Sequence, residues 1–340
     1  MYASGGKHDS LGGHDSGGSR ILVVRLGAMG DIIHALPAVA SLKHSFAGSH
    51  LTWVVEPRWA PLLEENPFVE RLALLRRETP RSLFESWRGL RSARYDFAVD
   101  FQGLLKSALV ASASGADRIF GFHQSQVRER AAALFYSGKI RSSSAHVVDR
   151  NLDLAAAAGA ANRLRTFPLP PGRAEGQLPA GDYVLACPLA GWRSKQWPMA
   201  HYRDLARQLL RELGMPLVLN GPPSAADIFA EVPEARTHFS GLPGLIHATR
   251  RAAAVVGVDS GPLHLAAALA KPGVAVFGPT DPARNGPYGD TFTVLRKAEA
   301  PTSYRRRREI DESMRSISPP EVFEALRATL RRRESTGCLA

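Results

Sequence analysis

The sequence predicts an α/β protein built from two successive strand–helix units of similar size. Short runs rich in Val, Ile and Leu alternate with longer segments of helical spacing in both halves of the 340 residues. This alternation is typical of a parallel sheet covered by helices. A stretch rich in proline and glycine, residues 167–181, separates the two halves, and the length also suits about two domains.

The first half opens with a strand over Ile21–Leu26, which breaks at Gly27–Asp31 and leads into a helix whose apolar residues recur three and four positions apart. Further strands are predicted over Leu51–Glu56 and Phe97–Asp100. The second of these leads into a helix over Leu104–Ser112 that is rich in alanine and leucine.

In the second half, a helix over Met199–Leu213 ends at Gly214, as glycine favours. The last helix begins with Ser318, Pro319 and Glu321, which form a capping box with proline at the first helical position. The predicted strands of this half are Tyr183–Cys187, Leu217–Leu219, Val255–Val258 and Val274–Phe277.

The chain therefore divides into four parts. Residues 1–19, mostly Gly, Ser, His and Asp, are expected to form a disordered tail. An N-terminal domain at 20–170 and a C-terminal domain at 171–318 follow, and a C-terminal helix at 319–334 can pack back on the N-terminal domain. Because ligands of open α/β sheets bind at the carboxyl ends of the strands, the cleft between the domains is the expected site.

The composition favours a protein that handles anionic molecules in a reducing compartment. Lys and Arg number 43 against 32 Asp and Glu, a net charge of +11, which suits a nucleic acid, a phosphorylated substrate or an anionic membrane surface. The two cysteines, Cys187 and Cys338, exclude a disulfide framework and a zinc site of paired cysteines. No run approaches the roughly 20 apolar residues of a membrane span.

Asp31 is the first candidate functional residue. It follows a turn in which Gly27 and Gly30 let backbone approach a ligand closely. Aspartate at this position either caps the helix or acts as a general base in the cleft, and spacing alone favours the cap.

Lys195 is the second candidate, in a loop that follows a predicted strand and lies between Trp192 and Trp197. A cation there suits the diphosphate of a leaving group. An ordinary solvated lysine is an equally good interpretation from the residues alone.

The third candidate is the loop Asp259–His264, where a strand leads through Ser260 and Gly261 directly into a helix. Such a helix start offers free N–H groups to an anion, although plain capping has the same pattern. The arginine runs at 305–308 and 331–333 are interpreted as solvated, and no metal-ligand spacing is found.

Together these loops resemble the ADP-heptose:lipopolysaccharide heptosyltransferases of glycosyltransferase family nine, and the first heptosyltransferase branch most closely. The similarity extends from Ile21 to about Leu330. The segments that carry it are Arg25–His34, Trp53–Glu56, Asp100–Ser107, Lys195–Pro198, Val258–His264 and Phe277–Pro282. The stretch Ser313–Pro319 resembles the second branch instead.

The resemblance implies a GT-B architecture, with two Rossmann-like domains that bind the acceptor in the N-terminal half and the donor in the C-terminal half. It implies an inverting, metal-independent transfer of heptose from ADP-heptose to Kdo on the lipid A precursor, without a cofactor. Asp31 matches the family's general base. The donor-binding positions are matched by Lys195, Asp259, Ser260, Gly261, Pro262, Leu263 and His264.

One position departs from the family pattern. An acidic residue that contacts the adenosine ribose in the first branch aligns here with Ala225, and Asp227 follows two residues later. The nucleotide preference therefore depends on whether Asp227 substitutes for it. On the acceptor side, the candidate binding residues are Gly30, Arg58, Lys106, Arg128 and Arg130.

Three other functions are considered at this point. The chain could be a GT-B transferase that uses another nucleotide sugar or a later inner-core heptose acceptor, a basic nucleic-acid-binding protein, or a degenerate GT-B fold that serves as a scaffold. No nucleic-acid-binding motif is recognised, and Asp31, Lys195 and the Asp259–His264 loop are retained, which together favour an active transferase. We expect a cytoplasmic enzyme, with peripheral attachment to the inner membrane compatible with its lipid acceptor, and no obligate protein partner.

Overall fold

The computed structural model describes residues 18–337, with side chains to Arg332, so the predicted tail up to residue 17 and Cys338 lie outside the described residues. The first half contains six strands: β1 (Arg20–Val24), β2 (His50–Val55), β3 (Arg71–Leu74), β4 (Phe97–Asp100), β5 (Arg118–Phe122) and β6 (Gly138–Ile140). The second half contains β7 (Val184–Ala186), β8 (Leu217–Gly221), β9 (Arg236–Phe239), β10 (Ala254–Val258), β11 (Gly273–Val276) and β12 (Phe292–Leu295).

Helices connect these strands in both halves. Those of the first half are α1 (Met29–Ser45), α2 (Pro80–Arg91), α3 (Leu105–Ala113) and α4 (Val147–Ala157). Those of the second half are α5 (Met199–Leu213), α6 (Ala226–Phe229), α7 (Leu242–Arg251), α8 (Gly261–Ala268), α9 (Pro282–Asn285), α10 (Glu312–Arg315) and α11 (Pro319–Gly337).

Each half forms one fully parallel sheet, as predicted, and each sheet has six strands. The strand orders are β3-β2-β1-β4-β5-β6 and β12-β11-β10-β7-β8-β9. In the first sheet Val24 pairs with Asp100, and in the second Val256 pairs with Ala186. The loops that follow β1 and β4 therefore leave the first sheet side by side, as do those that follow β7 and β10 in the second.

Side chains of β1 alternate between the two faces of the first sheet. Ile21 and Val23 point into a core that contains α1 and α4, whereas Leu22 and Val24 point into a core that contains α2, α3 and a 3-10 helix over Arg130–Phe135. This strict alternation is the period of a β-strand. The first sheet is consequently buried on both faces, as parallel sheets require.

The two halves share one hydrophobic core. Helices α1 and α8 pack against each other, and the α1 core continues into residues of the second half such as Leu185 and Leu265. Gly30 and Gly261 permit this approach: a Cβ on Gly30 would lie 2.5 Å from Cδ2 of His264, and one on Gly261 2.7 Å from Sδ of Met29. The packed helices α1 and α8 therefore form the floor of the cleft.

Helix α11 corrects one expectation. It packs on the second sheet, against α5, β11 and β12, rather than on the N-terminal domain. Its buried residues Val322, Phe323 and Leu326 belong to the core of the second half. The predicted capping box is present, with the Ser318 N–H donating to Glu321 at 2.8 Å. Within residues 18–337, no helix is long and apolar enough to cross a membrane.

Candidate functional site

A cleft of about 660 Å³ lies between the two halves, at the carboxyl ends of both sheets. Eight of the residues predicted from the sequence line it: Gly30, Asp31, Arg128, Lys195, Asp259, Ser260, Gly261 and His264. The three candidate loops, which are far apart in the sequence, therefore meet in one place. Strand-end loops of two facing sheets bring them there.

Asp31 lies in the first turn of α1 and is held on both sides. Oδ1 of its carboxylate is 2.7 Å from Nη2 of Arg25, and Oδ2 accepts a hydrogen bond from the Ala28 N–H at 3.3 Å. The side chain thus satisfies a free N–H at the helix start and still faces the cleft, with 37% of its surface exposed. The capping role and the cleft role coincide in this one residue.

The loop that follows β4 supports the Arg25–Asp31 pair. Arg25 also donates to the carbonyl of Phe101, and the Leu26 N–H donates to Gln102 at 2.8 Å. Asp100, which is fully buried, accepts from the Gln102 N–H and from the hydroxyl of Tyr136. Burial raises the pKa of Asp100, although these hydrogen bonds oppose the effect.

Lys195 contributes a fixed positive charge to the other wall of the cleft. Its Nζ lies 3.0 Å from Oδ2 of Asp259 and 4.5 Å from the centre of the Trp192 ring. The side chain is mostly buried, with 14% of its surface exposed. A lysine held by a carboxylate and an aromatic ring is pre-positioned for an anion, which contrasts with the solvated interpretation.

Asp259 is buried and ionised. Burial raises its pKa, but a hydrogen bond from His264 and the charge of Lys195 outweigh that effect and lower the pKa to about 2. Nε2 of His264 is 3.6 Å from Oδ1 of Asp259. Asp259 therefore fixes the cation and the imidazole on either side of it.

At the start of α8, Ser260 and Gly261 line the cleft. The first N–H groups of a helix lack intrahelical acceptors, and since Pro262 has no N–H, those of Gly261 and Leu263 are the ones available. The Leu263 side chain is packed with Ala275 and Phe277 in the core, so neither it nor Pro262 lines the cleft. Among the described residues, Oγ of Ser260 has no hydrogen-bond partner.

The arginine run at 305–308 departs from the solvated interpretation. Arg306 and Tyr304 line the cleft, and the Arg306 guanidinium lies 5.4 Å from the centre of the Trp192 ring. Trp192 therefore contacts two cations, Lys195 and Arg306. The sequence has one signal that this run lies in the cleft: the aromatic residue Tyr304 directly precedes it.

The cleft is strongly cationic. Its lining carries two carboxylates, Asp31 and Asp259, against six cations: Arg25, Arg128, Arg150, Lys195, Arg284 and Arg306. Burial, followed by repulsion from Arg284, lowers the pKa of Arg150. Such a concentration of one sign of charge favours an anionic ligand.

Three predicted acceptor residues do not line the cleft. Arg58 and Lys106 pair with the buried Glu56 at 3.0 and 3.6 Å, and Arg77 joins them. Arg130 is exposed at the start of its 3-10 helix. Arg58, Arg77 and Lys106 cluster at the carboxyl end of β2 on the N-terminal half because Glu56 attracts them there.

The position that departs from the family pattern supplies no carboxylate to the cleft. Ala225 is buried against Gly221, and Asp227 is exposed on α6; neither lines the cleft. Between residues 18 and 337, no three His, Cys, Asp or Glu side chains form a group that could hold a metal ion.

Three histidines meet where the halves join. The rings of His34 and His264 are 4.3 Å apart, and those of His34 and His146 are 5.8 Å apart. His146 also contacts the carbonyl of Gly286 across the interface at 3.1 Å. Burial, followed by the proximity of His264, His146 and Arg25, lowers the pKa of His34 well below its usual value.

The chain is similar in sequence to known proteins over most of its length. Residues 83–314 match the family model described as glycosyltransferase family 9 (heptosyltransferase). Lipopolysaccharide heptosyltransferase 1 of Pseudomonas aeruginosa is 31% identical over 79% of this chain and 81% of its own length. The protein of the same name from Escherichia coli K12 is 31% identical over 82% and 93%.

A solved structure is similar over most of its length. Escherichia coli heptosyltransferase WaaC with ADP-2-deoxy-2-fluoro heptose superposes with a TM-score of 0.71 and 26% identity, covering 90% of this chain and 98% of that one. The GT-B architecture with two Rossmann-like units, expected from the sequence, is confirmed.

Proposed function

The chain belongs to glycosyltransferase family 9, the heptosyltransferases, and on that premise we propose that it transfers heptose from ADP-heptose to Kdo of the lipopolysaccharide inner core. One observation carries the proposal. Asp31 from the first half and the Lys195–Asp259 pair from the second face the same cationic cleft. A proton acceptor and a diphosphate site are thus combined between two sheets.

The relatives support the choice of substrates. Both curated relatives compared above are named heptosyltransferase 1, and the similar solved structure carries an ADP-heptose analogue. ADP-heptose carries a diphosphate and Kdo a carboxylate, so both suit a cleft with six cations and two carboxylates.

The second half would bind the donor. Lys195 neutralises charge that develops on the diphosphate, since Asp259 and Trp192 already fix its position. The Ser260 hydroxyl and the N–H groups at the start of α8 add donors for the same oxygens. Arg306, whose guanidinium also lies over the Trp192 ring, adds a second positive charge.

Asp31 would act as the general base of an inverting displacement. A Kdo hydroxyl attacks the anomeric carbon from the face opposite the diphosphate and its proton passes to Asp31. The bond from the anomeric carbon to the phosphate oxygen breaks, and ADP leaves with that electron pair. Such a base contributes about 100- to 10,000-fold to the rate.

Metal independence is part of the proposal. Charge on the departing diphosphate must be neutralised, by a divalent cation or by protein groups. Here Lys195, Arg306 and the start of α8 are arranged for this task. We therefore expect transfer in the presence of a chelator.

The proposed setting is the cytoplasmic face of the inner membrane, where a lipid-linked acceptor would be reached by peripheral attachment. No obligate protein partner and no nucleic acid enter the proposed reaction. The surplus of positive charge fits the acceptor, since lipid A phosphates are anionic like the donor diphosphate.

A later inner-core heptose acceptor is the second candidate, because Ser313–Pro319 resembles the second branch. Another nucleotide sugar is the third, because neither Ala225 nor Asp227 supplies a carboxylate to the cleft. The two relatives named heptosyltransferase 1 favour the Kdo acceptor.

A substrate panel tests the proposal. The purified protein is incubated in EDTA with ADP-heptose, ADP-glucose or UDP-glucose and with an acceptor that ends either in Kdo or in heptose, and release of the nucleoside diphosphate is followed. We expect release only from ADP-heptose with the Kdo acceptor. Preference for a UDP-sugar, or for the heptose-terminated acceptor, would contradict the assignment.

A further inference from the structure

Helix α2 has an unusual distribution of side chains. The residues it turns toward the first sheet are small, with Ser82, Ser86 and Gly89 all partly buried. Three of its four large apolar residues point outward instead: Leu83 is 46% exposed, Phe84 56% and Trp87 38%. A surface helix of a globular protein normally has the reverse arrangement.

Polar contacts hold α2 in place. The Ser86 hydroxyl accepts from the Arg76 N–H at 3.0 Å, and its proton is shared between the Ser82 carbonyl at 2.8 Å and the Leu74 carbonyl at 3.2 Å. Arg71 donates to the carbonyl of Gly89 at 2.9 Å, and Leu90 is buried. The outward apolar residues are therefore not needed to pack α2 on the sheet. Because exposing them to water is unfavourable, they are expected to have another role.

The neighbouring elements expose apolar residues as well. Helix α3 contacts both α2 and the 3-10 helix over Arg130–Phe135, and these three elements cover the same face of the first sheet. Among the described residues, six of ten exposed large apolar side chains lie on them: Leu83, Phe84, Trp87, Leu105, Leu109 and Leu134. The second half packs on the α1 side, so this face remains uncovered by it.

Basic residues border the apolar ones. Residues 76–94 contain six arginines and two glutamates. The guanidinium of Arg91 lies 5.6 Å from the centre of the Trp87 ring, and the Phe84 and Trp87 rings are 5.6 Å apart. Aromatic residues flanked by arginines on a short amphipathic helix are typical of attachment to an anionic membrane surface.

We propose that the α2 surface, defined as Leu83, Phe84 and Trp87 with Arg81, Arg88 and Arg91, docks the protein on an anionic lipid bilayer. The proposal rests on the proposed function, in which the acceptor is lipid-linked. Helix α2 begins three residues after Arg77, which pairs with Glu56 beside Arg58 and Lys106. The docking surface is thus continuous with the cations next to the acceptor side of the cleft.

Vesicle flotation tests this surface with the full-length protein. Vesicles of phosphatidylcholine alone are compared with vesicles that also contain phosphatidylglycerol, for the wild type and for the double variant Phe84→Glu with Trp87→Glu. The matched control is Leu210→Glu with Ile228→Glu, which changes two exposed apolar residues of the second half. Circular dichroism verifies that each variant folds.

We expect the wild type and the control to float only with the anionic vesicles, and the α2 variant to lose at least tenfold in partition. Arg88→Gln with Arg91→Gln should weaken binding about fivefold per arginine. Absence of wild-type binding, or equal binding by the α2 variant, would overturn the proposal. So would a dimer in light scattering that the α2 variant converts to a monomer, because a second copy would then be the occupant.

A second readout separates this proposal from the proposed function. Transfer to a deacylated Kdo acceptor should be unchanged in the α2 variant, since none of its residues lines the cleft. If the wild type transfers nothing to that acceptor but follows the expected flotation pattern, the proposed reaction is wrong and the proposed membrane-docking surface is supported.

Discussion

Nη2 of Arg25 lies 2.7 Å from Oδ1 of Asp31, and this pair joins the end of β1 to the first turn of α1. Arg25 is anchored in turn by the Phe101 carbonyl. A carboxylate held in this way loses little freedom when substrate binds, which is the requirement for an efficient base. The first two predictions concern this pair.

Asp31→Asn should lower kcat by about 100- to 10,000-fold, because the amide cannot accept the proton of the attacking hydroxyl. ADP affinity should remain within about twofold, because the nucleotide is bound by the other half. Steady-state kinetics and calorimetry measure the two effects. Asp204→Asn, on the exposed face of α5, is the control, and a fully active Asp31→Asn would remove Asp31 from the chemistry.

Arg25→Lys should lower kcat at least tenfold with little change in donor KM. Lysine lacks the planar guanidinium that donates to the Asp31 carboxylate and the Phe101 carbonyl at the same time. Arg25 is a positioning residue, so its effect should pass through Asp31. In an Asp31→Asn background, Arg25→Lys should therefore have almost no further effect on kcat. An additive loss would instead assign Arg25 a role independent of Asp31.

Arg306→Gln should weaken ADP binding about tenfold at low salt, since a charge-assisted contact with the diphosphate is lost. The loss should shrink as ionic strength rises, because salt screens the interaction. Arg305→Gln, the adjacent arginine that does not line the cleft, is the matched control. Equal behaviour of the two variants in calorimetry would show that Arg306 does not reach the donor.

The buried His34 should make stability depend on pH. Its pKa is well below the usual value because of burial and of His264, His146 and Arg25. Below about pH 6.5 the unfolded chain takes up a proton at this residue that the folded chain does not. The free energy of unfolding should therefore decrease as the pH is lowered, by about 1 kcal/mol between pH 7.5 and pH 5.5.

Urea unfolding at pH 7.5 and 5.5 measures this dependence. His34→Gln should reduce the difference between the two pH values by about 1 kcal/mol. His44→Gln, at an exposed position in the last turn of α1, is the control. An unchanged pH dependence in His34→Gln would mean that His34 does not titrate as its environment implies.

Features that depend on local sequence were predictable. The strands of the site, the turn before Asp31 and the helix start at Gly261 each follow from neighbouring residues, and the parallel sheets then bring their loops together. Lys195 lines the cleft, as its place in a loop that follows a strand suggests, and its role in donor binding stays a prediction.

Contacts between distant residues were not predictable in this way. Arg306 reaches Trp192 across more than a hundred positions, so its run was interpreted as solvated. Arg58 and Lys106 pair with Glu56, a partner that spacing does not reveal. Helix α2 itself is not predicted from the sequence, and helical spacing alone would not show that its apolar residues point away from the sheet.

Calorimetric titration with ADP and UDP, in EDTA, tests the central claim most directly: the cleft is a metal-independent site for an ADP-linked sugar. We predict that ADP binds without metal and more tightly than UDP, and that Lys195→Ala weakens ADP at least tenfold while Lys297→Ala, which removes an exposed ion pair with Glu321, does not. Tighter binding of UDP, or ADP binding that needs magnesium or is unaffected by Lys195→Ala, would contradict the account.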